Sequence, residues 1–369
     1  MKKSMLYLVA LLAAFGLVAA ACGDDSSSTP DATTTTTAAP APTTEAPQED
    51  DTAMGSEEMP ETVVLAERDC DEGRDTEGIR VAIVAPSAEN DLAFTQSIVD
   101  AVDCLTGVTE VAITPGTFIV EDAGVALRQY AEDGFDLVIG HGSQYGGLVQ
   151  EIAPDFPDTA FAWGTAVNTF GLPNVSAYTV ASDQGGYVLG AVAASLGTNV
   201  GIVGPIEVGD AKLYVDGFRL GAEAGGAEVN VVYIESFADV QLASETATGF
   251  VNNGADILTG TAQMTVGAIS VAENEGVLWF GTQSDQTEAA ANGVVAASQV
   301  YRWEVALQQL INDLSNGVLG GQSYEINLEN GGLGIEYGNW DVPDNVIQLV
   351  NTTAQSVIAG NVVTRVDES

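Results

Sequence analysis

The stretch Arg80-Val81-Ala82-Ile83-Val84-Ala85, followed after a polar loop by an amphipathic segment over 93–105, decides the architecture of this chain. An apolar run without polar alternation reads as a strand buried on both faces, and the spacing after it reads as a helix. The same alternation continues in both directions from that point. Strands are predicted at 108–114, 136–140, 160–164 and 175–180, with helices at 121–132 and 147–152. The pattern then restarts, with strands at 200–203, 231–234, 256–259 and 277–280 separated by helical segments. Such a pattern predicts an α/β fold with two doubly wound parallel-sheet lobes. In sheets of this kind ligands bind beyond the carboxyl ends of the strands, so two facing lobes would hold a ligand in the cleft between them.

Polar and aromatic residues gather just after these strands. Asp91, Phe94, Thr95 and Gln96 follow the first, and Gln144 and Tyr145 follow the third. Tyr214, Gln263, Gln283, Asp285 and Tyr301 occupy corresponding places in the second half. Each has an ordinary role open to it: Asp91 as a helix cap, Phe94 as core instead of a stacking platform. Their recurrence at one edge of both sheets makes them candidate ligand contacts. Amides, carboxylates and aromatics together suit a neutral polar solute with a flat portion. The only histidine, His141, stands in Gly140-His141-Gly142-Ser143, which does not match the Gly-x-Ser-x-Gly elbow of serine hydrolases. A triad needs a positioned serine and carboxylate beside the imidazole. No spacing supplies them, so an extracellular hydrolase is the weaker reading. A P-loop and a true dinucleotide-binding glycine motif are also missing.

The N-terminus speaks to location. Lys2 and Lys3 precede an apolar run over 5–21 that ends in Ala19-Ala20-Ala21, with Cys22 directly after. That is a secretory signal sequence with a cysteine at the first mature position, as lipidation of Cys22 requires. An ordinary signal peptide with a chance cysteine, or an uncleaved anchor, remains open, although the run falls short of the ~20 residues a spanning helix needs. Residues 22–60 are rich in Ser, Thr, Pro and acids and are expected to form an extended linker. Removing Lys2 and Lys3 takes the formal charge from −42 to −44. That disfavours nucleic acid and anionic lipid surfaces, which need clustered cations. With Cys22 assigned to lipid, Cys70 and Cys104 remain as a pair in an oxidising compartment, at the same end of one β-α layer, and a disulfide is expected. No Cys/His cluster suggests zinc, and neither a metal nor a cofactor is expected.

Several separated motifs now fall into order. Asp91-Leu92-Ala93-Phe94-Thr95-Gln96, Gly185-Gly186-Tyr187-Val188-Leu189-Gly190, Lys212-Leu213-Tyr214 with Gly217-Phe218, Ser236-Phe237-Ala238-Asp239, Gly254-Ala255-Asp256 and Ser284-Asp285-Gln286 together resemble the basic membrane protein family. Those substrate-binding lipoproteins include purine nucleoside receptors and serve ABC importers. The resemblance covers about 80–351 and implies a type I periplasmic-binding fold, no enzymatic activity, and a lipid-anchored place on the extracytoplasmic face of the cell membrane. It implies a small polar ligand, with a purine nucleoside or nucleobase favoured, a membrane permease as partner, and a monomer. A sensor using the same fold for another solute is the alternative. Carried over by motif, Phe94 would stack on a base, with Asp91 and Gln96 beside it. Three positions depart from the nucleoside receptors: Gln283 stands where they have Asp, Tyr301 where they have Lys, and Gly147 where they have Asp. The lobes are expected at 61–181 with 296–318, and at 182–295 with 319–369.

Overall fold

In the computed structural model, which describes residues 68, 70, 74–291 and 293–366, the first apolar run is strand β1 (Ile79–Val84). Its last four residues are fully shielded from solvent, as a strand covered on both faces must be. It sits inside a six-stranded sheet with β2 (Val108–Thr114), β3 (Leu137–Gly140), β4 (Ala160–Gly164), β5 (Val175–Val180) and β11 (Ser323–Ile326). The order is β11-β5-β4-β3-β1-β2, and every pairing is parallel. Helices α1 (Phe94–Val102), α2 (Val120–Glu132) and α3 (Gly146–Ile152) connect these strands.

The second sheet repeats the plan with β6 (Asn199–Gly204), β7 (Glu228–Tyr233), β8 (Ile257–Gly260), β9 (Leu278–Gln283), β10 (Val295–Tyr301) and β12 (Leu333–Tyr337). Its order is β12-β10-β9-β8-β6-β7. All pairs are parallel except β10 with β12, which is antiparallel. Helices α4 (Ser182–Leu196), α5 (Gly209–Ala224), α6 (Val240–Asn252), α7 (Thr265–Glu275) and α9 (Asp344–Ile358) belong to this lobe, whereas α8 (Glu304–Ser315) packs on α1 and β11 of the first. The chain therefore crosses between lobes three times: from β5 to α4, from β10 to α8, and from β11 to β12.

These crossings redraw the expected boundaries. Strand β10 lies inside the second sheet between β9 and the last strand β12, so 296–301 do not join the first lobe, and β11 is the last strand of the first sheet, so 323–326 do not join the second. The reason is physical: each sheet takes its last strand from the segment that has just returned from the other lobe, covering what would otherwise be an open edge.

Helices α4 and α5 approach so closely that side chains are excluded from their contact. A Cβ on Gly190 would lie 2.1 Å from the Phe218 carbonyl oxygen, and one on Gly217 would lie 2.1 Å from that of Asp183. The glycine motif over 185–190 thus serves packing within one lobe. Cys70 and Cys104 are joined as a disulfide across 34 residues, tying the segment before β1 to the end of α1. The signal sequence, Cys22 and the linker over 22–60 lie outside the described residues. No helix among the described residues is long and apolar enough to cross a membrane.

Candidate functional site

A cavity of about 280 Å³ lies between the lobes, lined from both sides by residues that follow strands. The first lobe supplies Pro86 and Phe94 after β1, Phe118 and Val120 after β2, Gly142 to Gln144 after β3, and Thr165 after β4. The second supplies Val208, Asp210 and Ala211 after β6, Phe237 after β7, Ala262 and Gln263 after β8, and Gln283 at the end of β9. Both sheets present their carboxyl edges to one space, the place the topology nominates. Backbone strain collects there too. Thr165, Ala262 and Gln283 have φ of +53°, +73° and +77°, a region that non-glycine residues occupy only at a cost.

Phe94 opens α1 with one ring face against His141, centroids 4.0 Å apart and planes inclined by 10°. Behind it, Trp303 meets Phe94, His141 and Tyr178 edge-on, and its indole N–H donates to Ser97 Oγ at 2.8 Å. Both nitrogens of His141 are engaged. Nε2 lies 3.2 Å from the Phe94 carbonyl oxygen, which can only accept, so Nε2 carries the proton and Nδ1 accepts from Tyr178 Oη at 2.7 Å. Burial pushes the imidazole down to about 3. A neutral histidine spent in this way is a structural prop, with no nitrogen left for a nucleophile or a carboxylate.

Of the residues expected from sequence, Phe94, Gln144, Gln263 and Gln283 line the cavity. The others turn elsewhere. The Asp91 carboxylate accepts from the backbone N–H of Ala93, Thr95 and Gln96, capping α1. Gln96 accepts from the Leu92 N–H, and the Thr95 hydroxyl pairs with Ser87; all three hold the first turn. Tyr145 is buried, its hydroxyl donating to the Thr117 carbonyl at 2.9 Å. Tyr214 is core, its hydroxyl 2.7 Å from Thr259 Oγ1. Asp285 is exposed and accepts from the Thr287 N–H and hydroxyl. Tyr301 is buried behind the cavity, its hydroxyl 3.5 Å from Asp210 Oδ2.

Asp210, Phe237, Phe118 and Thr165 were not among the expected residues. The signal for Asp210 and Phe237 was present, since both follow second-half strands, but a helix start and a loop aromatic carry no distinguishing mark. Asp210 is the one carboxylate among the lining residues, and burial raises it to about 6 despite hydrogen bonds that oppose the shift. The lining includes no Lys, Arg or His. Three phenylalanines, one acid, and the amides of Gln144, Gln263 and Gln283 can therefore sandwich a flat group and hydrogen-bond its edge.

Second-lobe residues also bond directly to the first lobe beside this cavity. Ser284 Oγ donates to the Ala93 carbonyl at 2.8 Å, Gln286 Nε2 to the Leu92 carbonyl at 2.9 Å, and Gln263 Nε2 to Ser87 Oγ at 3.0 Å.

Two parallel-sheet lobes joined by three crossings, with a cleft at their carboxyl edges, define the type I periplasmic-binding class. Within it the chain belongs to the Bmp family, described as ABC transporter substrate-binding protein PnrA-like, whose model matches residues 79–361. A solved structure of an ABC transporter solute-binding protein from Conexibacter woesei is similar, with a TM-score of 0.66 and 27% identity over 79% of this chain and 99% of that one. A purine-binding protein of Brucella abortus is 28% identical over 48% of this chain and 51% of its own length. The transcriptional activator protein med of Bacillus subtilis is 27% identical over 57% of this chain and 66% of its own. The chain spans about half the length of the curated relatives it matches.

Proposed function

We propose that this protein binds a small, flat, polar solute, a purine nucleoside or nucleobase first among them, between its two lobes and delivers it to an ABC permease. The observation that carries this reading is the inter-lobe cavity with Phe94 and Phe118 on one lobe and Phe237 on the other. Gln144, Gln263 and Gln283 are the proposed hydrogen-bonding contacts. The mechanism is hinge closure: solute contacts with both lobes favour the closed arrangement over an open one. Lipidation at Cys22 would tether the protein on the extracytoplasmic face, with the 22–60 linker giving it reach toward the permease. The similarity to a purine-binding protein supports the ligand class.

Calorimetric titration with adenosine, adenine, a hexose and an amino acid tests this. Saturable binding of a purine that Phe237→Ala weakens supports it; binding of the hexose or amino acid alone would overturn the purine assignment. The similarity to a transcriptional activator favours a second reading, in which the same closure reports the solute to a regulatory partner. Uptake of labelled solute by cells lacking this protein separates the two, because only a transport role lowers it.

A further inference from the structure

The three crossings between lobes lie toward one edge of the two sheets, where β5 and β11 flank the first and β10 and β12 flank the second. The opposite edges are β2 and β7. The lining of the cavity is graded between these two sides. Toward the crossings and at the middle it is polar: Thr165 follows β4, Asp210 Oδ2 comes within 3.5 Å of Tyr301 Oη on β10, and Gln263 follows β8. Toward the far edge it is apolar: Phe118 and Val120 follow β2, Val208 follows β6, and Phe237 follows β7.

Two of these far-edge residues remain half in water: Phe118 is 51% exposed and Val208 is 50% exposed. The lobes already touch, through the bonds of Ser284 to the Ala93 carbonyl and of Gln286 to the Leu92 carbonyl. That contact leaves both side chains uncovered, so the apolar walls are not a seal that the protein makes with itself. Single exposed apolar side chains are ordinary on a protein surface. Apolar side chains that line one cavity from two lobes are different, because such a grouping marks a surface that something else covers.

We infer that the cavity takes an amphiphilic solute, with a flat polar group toward the crossings and an apolar substituent toward the far edge. The substituent, a phenyl-sized ring or a branched alkyl chain, lies between Phe118 and Val120 of one lobe and Val208 and Phe237 of the other. This rests on the reading of the cavity as a solute site and narrows it to flat polar rings that carry an apolar group. Covering Phe118 and Val208 takes apolar surface out of water, and the stabilisation scales with the area covered. A substituent that touches both lobes also favours the closed arrangement. A bare base leaves the two walls wet.

Calorimetric titration of the full chain with adenine, 6-benzylaminopurine and 9-benzyladenine tests this, since the two derivatives carry the phenyl ring on different edges of one base. One of them should bind about tenfold or more tighter than adenine, the range that an added apolar group commands in an apolar pocket. In the double variant Phe118→Ser with Val208→Ser, the ratio of benzyl to adenine affinity should fall to near one. Both positions are half exposed, and residue 208 is the N-cap of α5, where Ser is well suited, so the fold is kept and a melting curve checks it. Benzyl derivatives no tighter than adenine, or a ratio that survives in the double variant, would overturn the inference. If no purine binds, N-phenyl-1-naphthylamine decides, an uncharged aromatic amine that brightens in apolar surroundings. Brightening with the wild type that is lost in the double variant drops the purine and keeps the apolar subsite. No brightening, or equal brightening with both chains, overturns the subsite as well.

Discussion

Phe94 and His141 are stacked nearly parallel at a centroid distance of 4.0 Å, so one face of the phenyl ring is already occupied by the protein. Only its remaining surface can meet a solute. Phe94 is therefore both a wall of the cavity and part of the aromatic cluster that contains Trp303 and Tyr178.

Phe94→Ala accordingly changes two things at once. Losing a buried phenyl costs about 3–5 kcal/mol of stability, on top of any loss of affinity. Phe237 is half-buried at the cavity and lies outside that cluster. Phe237→Ala should leave the melting temperature nearly unchanged while weakening solute binding by ~1–3 kcal/mol, the usual range for an aromatic stacked on a base. Melting curves beside calorimetric titrations separate the two variants. A large drop in melting temperature for Phe237→Ala would move that residue from the site to the core.

The pH dependence of stability should carry two opposed contributions. His141 is held near 3 when folded against 6.5 when unfolded, so between those values the unfolded chain binds the extra proton. Stability then rises with pH, by about 1.4 kcal/mol per unit at most. Asp210 is raised to about 6 from 3.8, so between those values the folded chain binds the extra proton and stability falls as pH rises. The Asp210 slope is slightly the smaller because its folded and unfolded values lie closer together than those of His141. The wild-type contributions should nearly offset between about pH 4 and 6. His141→Gln removes the first and should leave stability falling with pH across that window. Urea midpoints at half-unit intervals measure it; a rising slope in His141→Gln would contradict the assignment.

The contact between α4 and α5 gives a prediction that does not touch the site. With a Cβ at 190 only 2.1 Å from the Phe218 carbonyl, Gly190→Ala must push two backbones apart. A cost of about 3 kcal/mol or more is expected, at the upper end of overpacking because the obstacle is main chain. Gly249→Ala, where a Cβ would meet nothing within 4 Å, is the control and should be neutral or slightly stabilising in α6. Denaturant midpoints for both variants decide the matter.

The nine strands from β1 to β9 were legible because seven are short apolar runs and the two edge strands β2 and β7 keep Val and Ile among their polar residues, and period separates them from the helices between. Strands β10, β11 and β12 were harder. β10 is buried throughout, yet it carries Ser298 and Gln299 in its middle, and β11 opens on exposed Ser323. Without an apolar run to mark them, the crossings between lobes were misplaced. At the site, the edge of the sheets was predictable but the direction of each side chain was not. Asp91, Thr95 and Gln96 lie in the stretch that resembles the family motif, yet all three are spent on the first turn of α1. Spacing does not distinguish a capping carboxylate from a ligand contact, since both stand just before a helix.

The bond from Ser284 Oγ to the Ala93 carbonyl joins the loop after β9 to the start of α1, and Ser284 is 2% exposed. It can form only while the lobes are in contact, so under hinge closure it favours the closed form without touching the solute. Ser284→Ala removes the donor while the Ala93 carbonyl keeps the Ser97 N–H, so the loss is that of one ordinary hydrogen bond, about 0.5–1.5 kcal/mol to closure alone. A shift of that size raises the open population of the solute-free chain by roughly 2- to 13-fold. Apparent affinity should fall by the fraction of the closed form lost, mainly through faster dissociation. Small-angle scattering of the solute-free variant should show a larger radius of gyration than wild type, and saturating solute should bring the two together. If the radii match in the absence of solute, the lobes do not exchange between open and closed forms through this contact. The bond would then be a fixed part of one rigid body.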